Sequence, residues 1–473
     1  MVPSRFNVQI PLRGRGEVFL LNTLSDAQLL VSADVAALFD RFSAPAMDDQ
    51  ALCADEREAV ALLAEQGFLV ADHESEGRAL DQYFASVREG RDELRVTVLT
   101  TLQCNFACDY CYQGDFDDHG RLAEKMSMAT AARVAAWIEA KLDEIQPKRF
   151  SLMFFGGEPL LNQPVMFYLA ERLWHASRAR GVEMVASLIT NGLLLTPEIV
   201  DRLKPFGLYG VKVTLDGDRE THDRLRPLRG GQGTFDRIIE NLRRVAGRCA
   251  IGIGGNFDVE TADRYPALLD FLRAQDFAGV LAKVSFKPVI KPAPGAAGQR
   301  PGAAGLIPLT AVGADGRPLG GACMTSAGSG SSVCDSCHFV DEKLAFLREE
   351  TKKRGFRTPD GVHMGPCEIH RRHAHTIGPD GSLYACPGFS GEPTQSVGHI
   401  DGRSEAWRRQ AAERFERVAA WKECTDCPFV PVCAGGCTTA SHVELGDLDR
   451  PSCHRGSFEA GVAALAADAA AAS

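Results

Sequence analysis

From about residue 93 the chain alternates short apolar runs with amphipathic stretches, and the rhythm holds until near 290. The apolar runs are LRVTVLTT, FSLMFFGG, MVASLITNG, GVKVTLDG, AIGIGGNFD and KVSFKPV. Between them, apolar positions recur at helical spacing over 128–145, 164–180, 197–205, 234–247 and 262–275. A sixth amphipathic stretch, FVDEKLAFLREETKKRG, starts acidic and ends basic with Gly355 behind it, as a helix dipole and a helix stop favour. Six β/α units in series predict a parallel sheet with right-handed crossovers. The strands read as continuous apolar runs, which predicts burial on both faces. An open sheet and a partial barrel both satisfy this pattern. In either, functional residues belong at the C-terminal ends of the strands. Those ends carry TLQC, GGEP, TNG, LDG and NFD.

The flanks break the rhythm. Residues 1–90 predict a small winged-helix-like α+β module. GEVFLLNTL and AQLLVSAD read as strands, and SADVAALFDRF as a helix capped by Ser32 with a stripe at Val35, Leu38 and Phe39. DEREAVALLAEQGFLV reads as a second helix with acids in its first turn, stopped by Gly67. After the core at 91–290, residues 291–332 are rich in Gly, Pro, Ala and Ser. With the last helix they form a linker or loop unit, 291–360. Residues 361–457 hold cysteines, glycines and turns with little regular periodicity. The alanine-rich tail, 458–473, reads as a surface helix that frays.

Composition adds little to the fold but narrows the function. The chain has 473 residues, 45% hydrophobic and 24% charged, as ordinary globular proteins do. A net charge of −10 argues against a general nucleic-acid binder. The N-terminus shows no signal-peptide pattern, and no stretch reaches the length of a membrane span, so the expected location is the cytoplasm. Fifteen cysteines in a chain of this size point to metal and away from a disulfide scaffold. Cys53 and Cys249 stand apart and read as small buried thiols.

The densest group is TLQCNFACDYCYQGDF, where Cys104, Cys108 and Cys111 follow the first core strand in a C-x3-C-x2-C spacing. Zinc sites normally take four protein ligands in two pairs. Three bunched thiolates suit a [4Fe–4S] cluster with one iron left open, although a fourth cysteine from elsewhere would make a ferredoxin-like site. In this context the stretch resembles the signature of the radical SAM superfamily. The resemblance implies that the open iron binds S-adenosylmethionine (SAM). The reduced cluster then splits SAM to a 5′-deoxyadenosyl radical that abstracts hydrogen from a substrate. It also implies further cofactor contacts: Gly156, Gly157 and Glu158 of GGEP, Thr190 and Asn191 of TNG, Asp216 of LDG, and Tyr110 near the adenine. His222 and Arg226, in THDRLRPLRG, read equally as neighbours of the site and as solvated surface.

Beyond 360, Cys367 is followed by Gly381 and Cys386, then CTDCPFVPVCAGGC and a last Cys453. This pattern resembles the SPASM domain, the auxiliary-cluster extension of radical SAM enzymes that modify peptides and proteins. The resemblance implies two auxiliary [4Fe–4S] clusters. Cys424, Cys427, Cys433 and Cys453 would hold the outer one, and Cys367, Cys386 and Cys437 the inner one. The fourth inner ligand stays open among Cys337, Cys334, Cys323 and a substrate-accessible iron, with Cys337 preferred. A zinc ribbon is the competing reading of the same spacing. His370, His373 and His375 read as strand or turn positions rather than ligands.

The resemblance implies a precursor peptide with a leader sequence as partner, bound by the N-terminal module as an added strand. It also implies an electron donor such as flavodoxin or ferredoxin, with no nucleic acid and no membrane. The expected reaction is peptide maturation, with a thioether or other crosslink among the outcomes. Sulfatase-type formylglycine formation is the alternative, since Pro387 stands where those enzymes carry an acid after the G-x4-C cysteine. A non-enzymatic iron–sulfur or zinc scaffold is the alternative from another class.

Overall fold

The computed structural model describes residues 1–43, 52–111, 113, 123–258, 260–290, 335–359, 361–363 and 365–472, without the side chains of 335–339 and 472. The linker expected at 291–332, with Cys323 and Cys334, lies outside the described residues, and so does the side chain of Cys337.

The N-terminal module opens with β1 (Val2–Pro3), β2 (Asn7–Leu12), β3 (Glu17–Asn22) and β4 (Gln28–Ser32). Helices α1 (Ala33–Ala36), α2 (Leu38–Ser43) and α3 (Ala54–Glu65), strand β5 (Leu69–Val70) and helix α4 (His73–Glu89) complete it. β2, β3 and β4 form an antiparallel sheet, and β1 pairs with β5. Ser32 caps α1 by accepting from the Val35 amide. Cys53 departs from its expected burial: it is exposed and forms a reciprocal capping box with Glu56 at the start of α3. Sequence reading did not mark α4. It does carry a stripe, Leu80, Tyr83, Phe84 and Val87 at helical spacing, of which Leu80, Tyr83 and Phe84 pack with Phe6 and Val430.

The core follows as β6 (Glu93–Leu99), α5 (Met128–Ile145), β7 (Arg149–Phe155), α6 (Gln163–Ala179), β8 (Glu183–Thr190) and α7 (Pro197–Leu203). It continues with β9 (Leu208–Thr214), α8 (Arg219–Leu225), α9 (Phe235–Val245), β10 (Ala250–Phe257), α10 (Tyr265–Arg273), β11 (Leu281–Pro288) and α11 (Asp335–Lys353). β6 to β11 lie side by side in chain order, all parallel. One expectation holds only in part: Val96–Leu99 of β6 and Ile253–Gly255 of β10 are buried on both faces, but other strands are not. In β7 and β8 buried residues alternate with partly exposed ones. Leu152, Phe154, Leu188, Val211, Val213, Ile253 and Val284 pack under the helices in the main core. The opposite face carries Ser151, Ser187, Lys212 and Thr214 and stays open.

The cysteine-rich part is more regular than its sequence implied. β12 (Ala374–Ile377), β13 (Ser382–Tyr384) and β14 (Gly398–His399) extend the core sheet to nine strands, with β12 parallel to β6. The sheet thus draws strands from beyond residue 361. Helices α12 (Ala406–Glu416), α13 (Val430–Cys433), α14 (Thr438–Leu445) and α15 (Arg455–Ala472) follow. The tail does not fray. α15 packs on α11, β2 and β3, and buries Val462 and Ala466 against Phe19, Leu21 and Phe429. Small side chains let the helix approach that closely. No helix among the described residues is long and apolar enough to cross a membrane.

Candidate active site

The loop after β6 carries Cys104, Cys108 and Cys111, and the end of β7 holds it in place. The amides of Gly157 and Glu158 donate to the carbonyls of Thr101 (3.0 Å) and Gln103 (2.8 Å). Neither glycine can gain a side chain. A Cβ on Gly156, at φ +137°, would sit 2.2 Å from the Thr101 carbonyl oxygen, and one on Gly157 2.3 Å from that of Gln103. The GG of GGEP is therefore first a docking surface for the cysteine loop.

Glu158 has no exposed surface, and its carboxylate ties strand ends together. One oxygen accepts from Thr190 Oγ1 (2.8 Å) and the Leu160 amide (3.0 Å), the other from the Asn191 amide (2.8 Å). Burial raises its pKa, and these hydrogen bonds oppose the rise. Asn191 in turn donates through Nδ2 to Asn105 Oδ1 (2.7 Å), inside the cysteine loop. Glu158 and Thr190 thus spend their polar atoms within the protein rather than on an open cleft.

At the end of β9, Asp216 is equally buried. It accepts from the Asn256 amide (2.7 Å) and in a short bond from the Tyr110 hydroxyl, and it faces Arg226 Nη1 at 3.5 Å. Arg226 also donates to the Tyr110 hydroxyl (2.6 Å), and its guanidinium lies 5.5 Å from the Phe106 ring centre. Burial raises the Asp216 pKa, and Arg226 acts most strongly against that rise. His222, also buried, accepts from the Asp216 amide through Nδ1 (3.2 Å) and meets Thr234 Oγ1 through Nε2 (3.1 Å). Burial first, then Arg226, hold it neutral, well below its usual pKa. The solvated-surface reading of His222 and Arg226 therefore fails. Their segment clamps the cysteine loop: Phe106 bridges Leu228, the Ala107 amide donates to the Pro227 carbonyl (2.9 Å), and Arg229 Nε donates to the Cys104 carbonyl (2.8 Å).

The three loop thiols sit inside this frame. Burial pushes Cys104 to about 12 and Cys108 to about 11, and raises Cys111; Arg226 opposes the rise at each. Buried thiols of this kind keep their protons unless a metal cation displaces them. Arg226 Nε is buried and lacks a partner among the described residues, a donor that would welcome an anionic group. The three cysteine side chains do not close into a metal-binding group among the described residues, but three thiols on one loop beside a guanidinium with an unpartnered Nε are donors of the type an iron–sulfur cluster with an anion-bearing ligand takes.

The seven C-terminal cysteines fall into two electrostatic neighbourhoods. Cys386, pushed to about 12 mainly by burial, also feels Cys367 and Cys437. Cys433, likewise near 12, feels Cys424, Cys427 and Cys453. No three Cys, His, Asp or Glu side chains among the described residues are yet drawn into a closed metal-binding group, so the grouping rests on mutual influence. Gln113 Nε2 reaches Ser390 Oγ (3.4 Å), linking the end of the first cysteine loop to the turn after Cys386. Sequence reading did not find Asn105, Asn256 or Tyr265, whose hydroxyl fixes the Asn256 carbonyl at 2.6 Å. The polar break in NFD was the one available signal.

Residues 98–272 match the radical SAM superfamily, and this stretch is a radical SAM domain. Among particular relatives, the Fe-coproporphyrin III synthase of Methanosarcina barkeri is 28% identical over 178 residues, 37% of this chain and 40% of that enzyme. The chain thus spans about two fifths of the length of the first curated relatives it matches. A serine-type anaerobic sulfatase-maturating enzyme of Bacteroides thetaiotaomicron is 23% identical over 362 residues, 71% of this chain and 80% of that one. The structure of anSMEcpe with bound AdoMet superposes with a TM-score of 0.55 at 16% identity, over 78% of this chain and 96% of that one, a likeness of fold.

Proposed function

We propose that the chain is a radical SAM enzyme of the SPASM type that modifies a ribosomally made peptide. The observation that carries this reading is the Cys104–Cys108–Cys111 loop clamped under Arg226, Asp216 and Tyr110 at the C-terminal ends of parallel strands. When bound, a [4Fe–4S] cluster with SAM would supply one electron and a carbon radical able to take hydrogen from a substrate C–H bond. The chain's own residues do the rest. The three thiols hold the iron, and Arg226 offers its free Nε to an anionic group while Tyr110 and Asp216 fix its orientation. Asn191 and Glu158 keep the loop at the strand ends, and Phe106 keeps water from beneath the guanidinium. In this reading β6 to β11 curl as a partial barrel. Residues 1–90 take the leader of a precursor peptide, and 361–457 carry two auxiliary clusters: Cys424, Cys427, Cys433 and Cys453 on one, Cys367, Cys386 and Cys437 on the other. A flavodoxin or ferredoxin supplies electrons in the cytoplasm.

Formylglycine formation is the second reading, favoured by the long match to a sulfatase-maturating enzyme and opposed by Pro387 beside Cys386. The test of the class is anaerobic reconstitution, an iron count, and chromatography for 5′-deoxyadenosine after SAM and dithionite are added. Roughly twelve irons and cleaved SAM are expected of three clusters. Zinc-loaded protein that leaves SAM intact would reduce the chain to a metal scaffold.

A further inference from the structure

The open face of the sheet carries a set of cations that the site above does not use. Lys212 of β9 and Lys283 of β11 are both register partners of Gly252 on β10, so all three positions point to one face. Lys287 pairs with Asn256 on the same face, four residues nearer the strand ends. Asn256 is the residue whose amide holds Asp216, and its Nδ2 lies 3.5 Å from the Tyr110 hydroxyl. The lysines therefore run up the wall of the sheet toward the radical SAM site.

The wall is shaped around Lys212. A Cβ on Gly254 would fall 2.4 Å from its Cε and 3.1 Å from its Nζ, so the glycine lets the side chain lie flat along β10 toward the strand ends. Among the described residues no carboxylate pairs with Lys212, Lys283 or Lys287. Lys212 is largely buried, and burial, then Lys287 and Lys283, lower its pKa to about 8. An ammonium sunk this far, with like charges as its described charged neighbours, costs stability unless an anion completes it.

We infer that this wall is a substrate subsite that receives a carboxylate of the bound peptide, an acidic side chain or the chain's terminal carboxylate, and so positions the residue to be modified. The inference rests on the peptide-modifying reading for the nature of the substrate. It deepens that reading by requiring an acidic group near the modified position. An ammonium–carboxylate contact in a partly desolvated wall gives charge-assisted hydrogen bonds of useful strength and strong selectivity over the neutral amide.

The test is equilibrium binding to the reconstituted full chain, read by fluorescence anisotropy. The probes are three fluorescein-labelled hexapeptides: Gly-Gly-Glu-Glu-Gly-Gly amide, Gly-Gly-Gln-Gln-Gly-Gly amide, and the latter with a free C-terminal acid. At least one carboxylate-bearing probe is expected to bind about tenfold tighter than the neutral amide. Which acid wins tells side chain from chain terminus. Lys287→Gln and Lys283→Gln, both exposed and safe for folding, are expected to erode the preference together, and Lys212→Gln to remove it. Equal binding of all three probes, or a preference that survives the Lys283→Gln/Lys287→Gln double variant, would overturn the inference. The assay needs no turnover, so its failure stays separable from a failure to cleave SAM.

Discussion

Two thiol-rich regions share this chain, and they differ in what surrounds the sulfur. At the end of β6, Cys104, Cys108 and Cys111 sit against a buried guanidinium, two buried carboxylates and a tyrosine, each with several named partners. Around Cys424, Cys427, Cys433 and Cys453 the described charges are mostly other thiols, with Arg455 acting on Cys427 from a half-exposed position. A metal centre that must bind and aim a second molecule needs a preorganised polar frame. One that only stores or passes electrons needs ligands and insulation. On the proposed reading, this is the contrast expected between a reacting centre and an accessory one.

The sharpest way to break the contrast is to delete each set. Changing Cys104, Cys108 and Cys111 together to Ala is expected to abolish 5′-deoxyadenosine formation and to remove roughly a third of the iron. Loss of Cys424 and Cys427 is expected to remove a similar share of iron and leave measurable SAM cleavage. If both variants lose cleavage equally, the division of labour is wrong.

Next come the glycines that seat each loop. Gly156→Ala places a Cβ 2.2 Å from the Thr101 carbonyl, and Gly436→Ala (φ +94°) one 2.0 Å from that of Ser452. Each substitution is expected to deplete its own cluster, distinguished by iron count and by electron paramagnetic resonance of the reduced protein. A normal iron content in Gly156→Ala would mean the loop seats itself without this contact.

A smaller effect separates the cations. Arg226→Met strips the counter-charge from buried Asp216 and is expected to cost about 3–5 kcal/mol in urea unfolding. Arg455→Met, at a surface pair, is expected to cost less than about 1 kcal/mol. An intermediate, pH-dependent effect concerns the seam between the regions. His375 of β12 is mostly buried, and burial lowers its pKa from 6.5 to about 4. A histidine held neutral gives stability that is complete above its unfolded pKa and lost as pH falls toward the folded one. Unfolding free energy is expected to drop by at most about 1.4 kcal/mol per pH unit from this group between pH 6.5 and 4. His375→Phe should flatten that slope in urea titrations at pH 7 and 5, and an unchanged slope would assign the loss elsewhere.

The core was legible because long amphipathic helices and apolar strands carry their own periodicity. The helix expected at 128–145 is α5, Met128–Ile145, and the other five lie within a few residues of their expected spans. What escaped was structure set by neighbours. β12 is four residues long and owes its strand geometry to β6. In α4 the stripe was legible, and what was not is the burial of Glu76, which depends on Arg5 and Ser4 far away in sequence. In the site, the cysteine spacing and the GGEP, TNG and LDG strand ends pointed to residues that the fold brings together. Arg226 stood evenly between site and surface in the sequence, because its contact with Tyr110 spans 116 positions and depends on the Phe106–Leu228 bridge.

The pairing of β12 with β6 has a mechanical consequence. Removing everything past residue 360 would bare the backbone donors and acceptors of the strand that launches the first cysteine loop. β6 carries charges only at Glu93 and Arg95, and its Val96–Leu99 half has no charge, proline or bulge of the kind that guards natural borders against self-association. A shortened chain of this kind should therefore clump during expression rather than yield a soluble catalytic half.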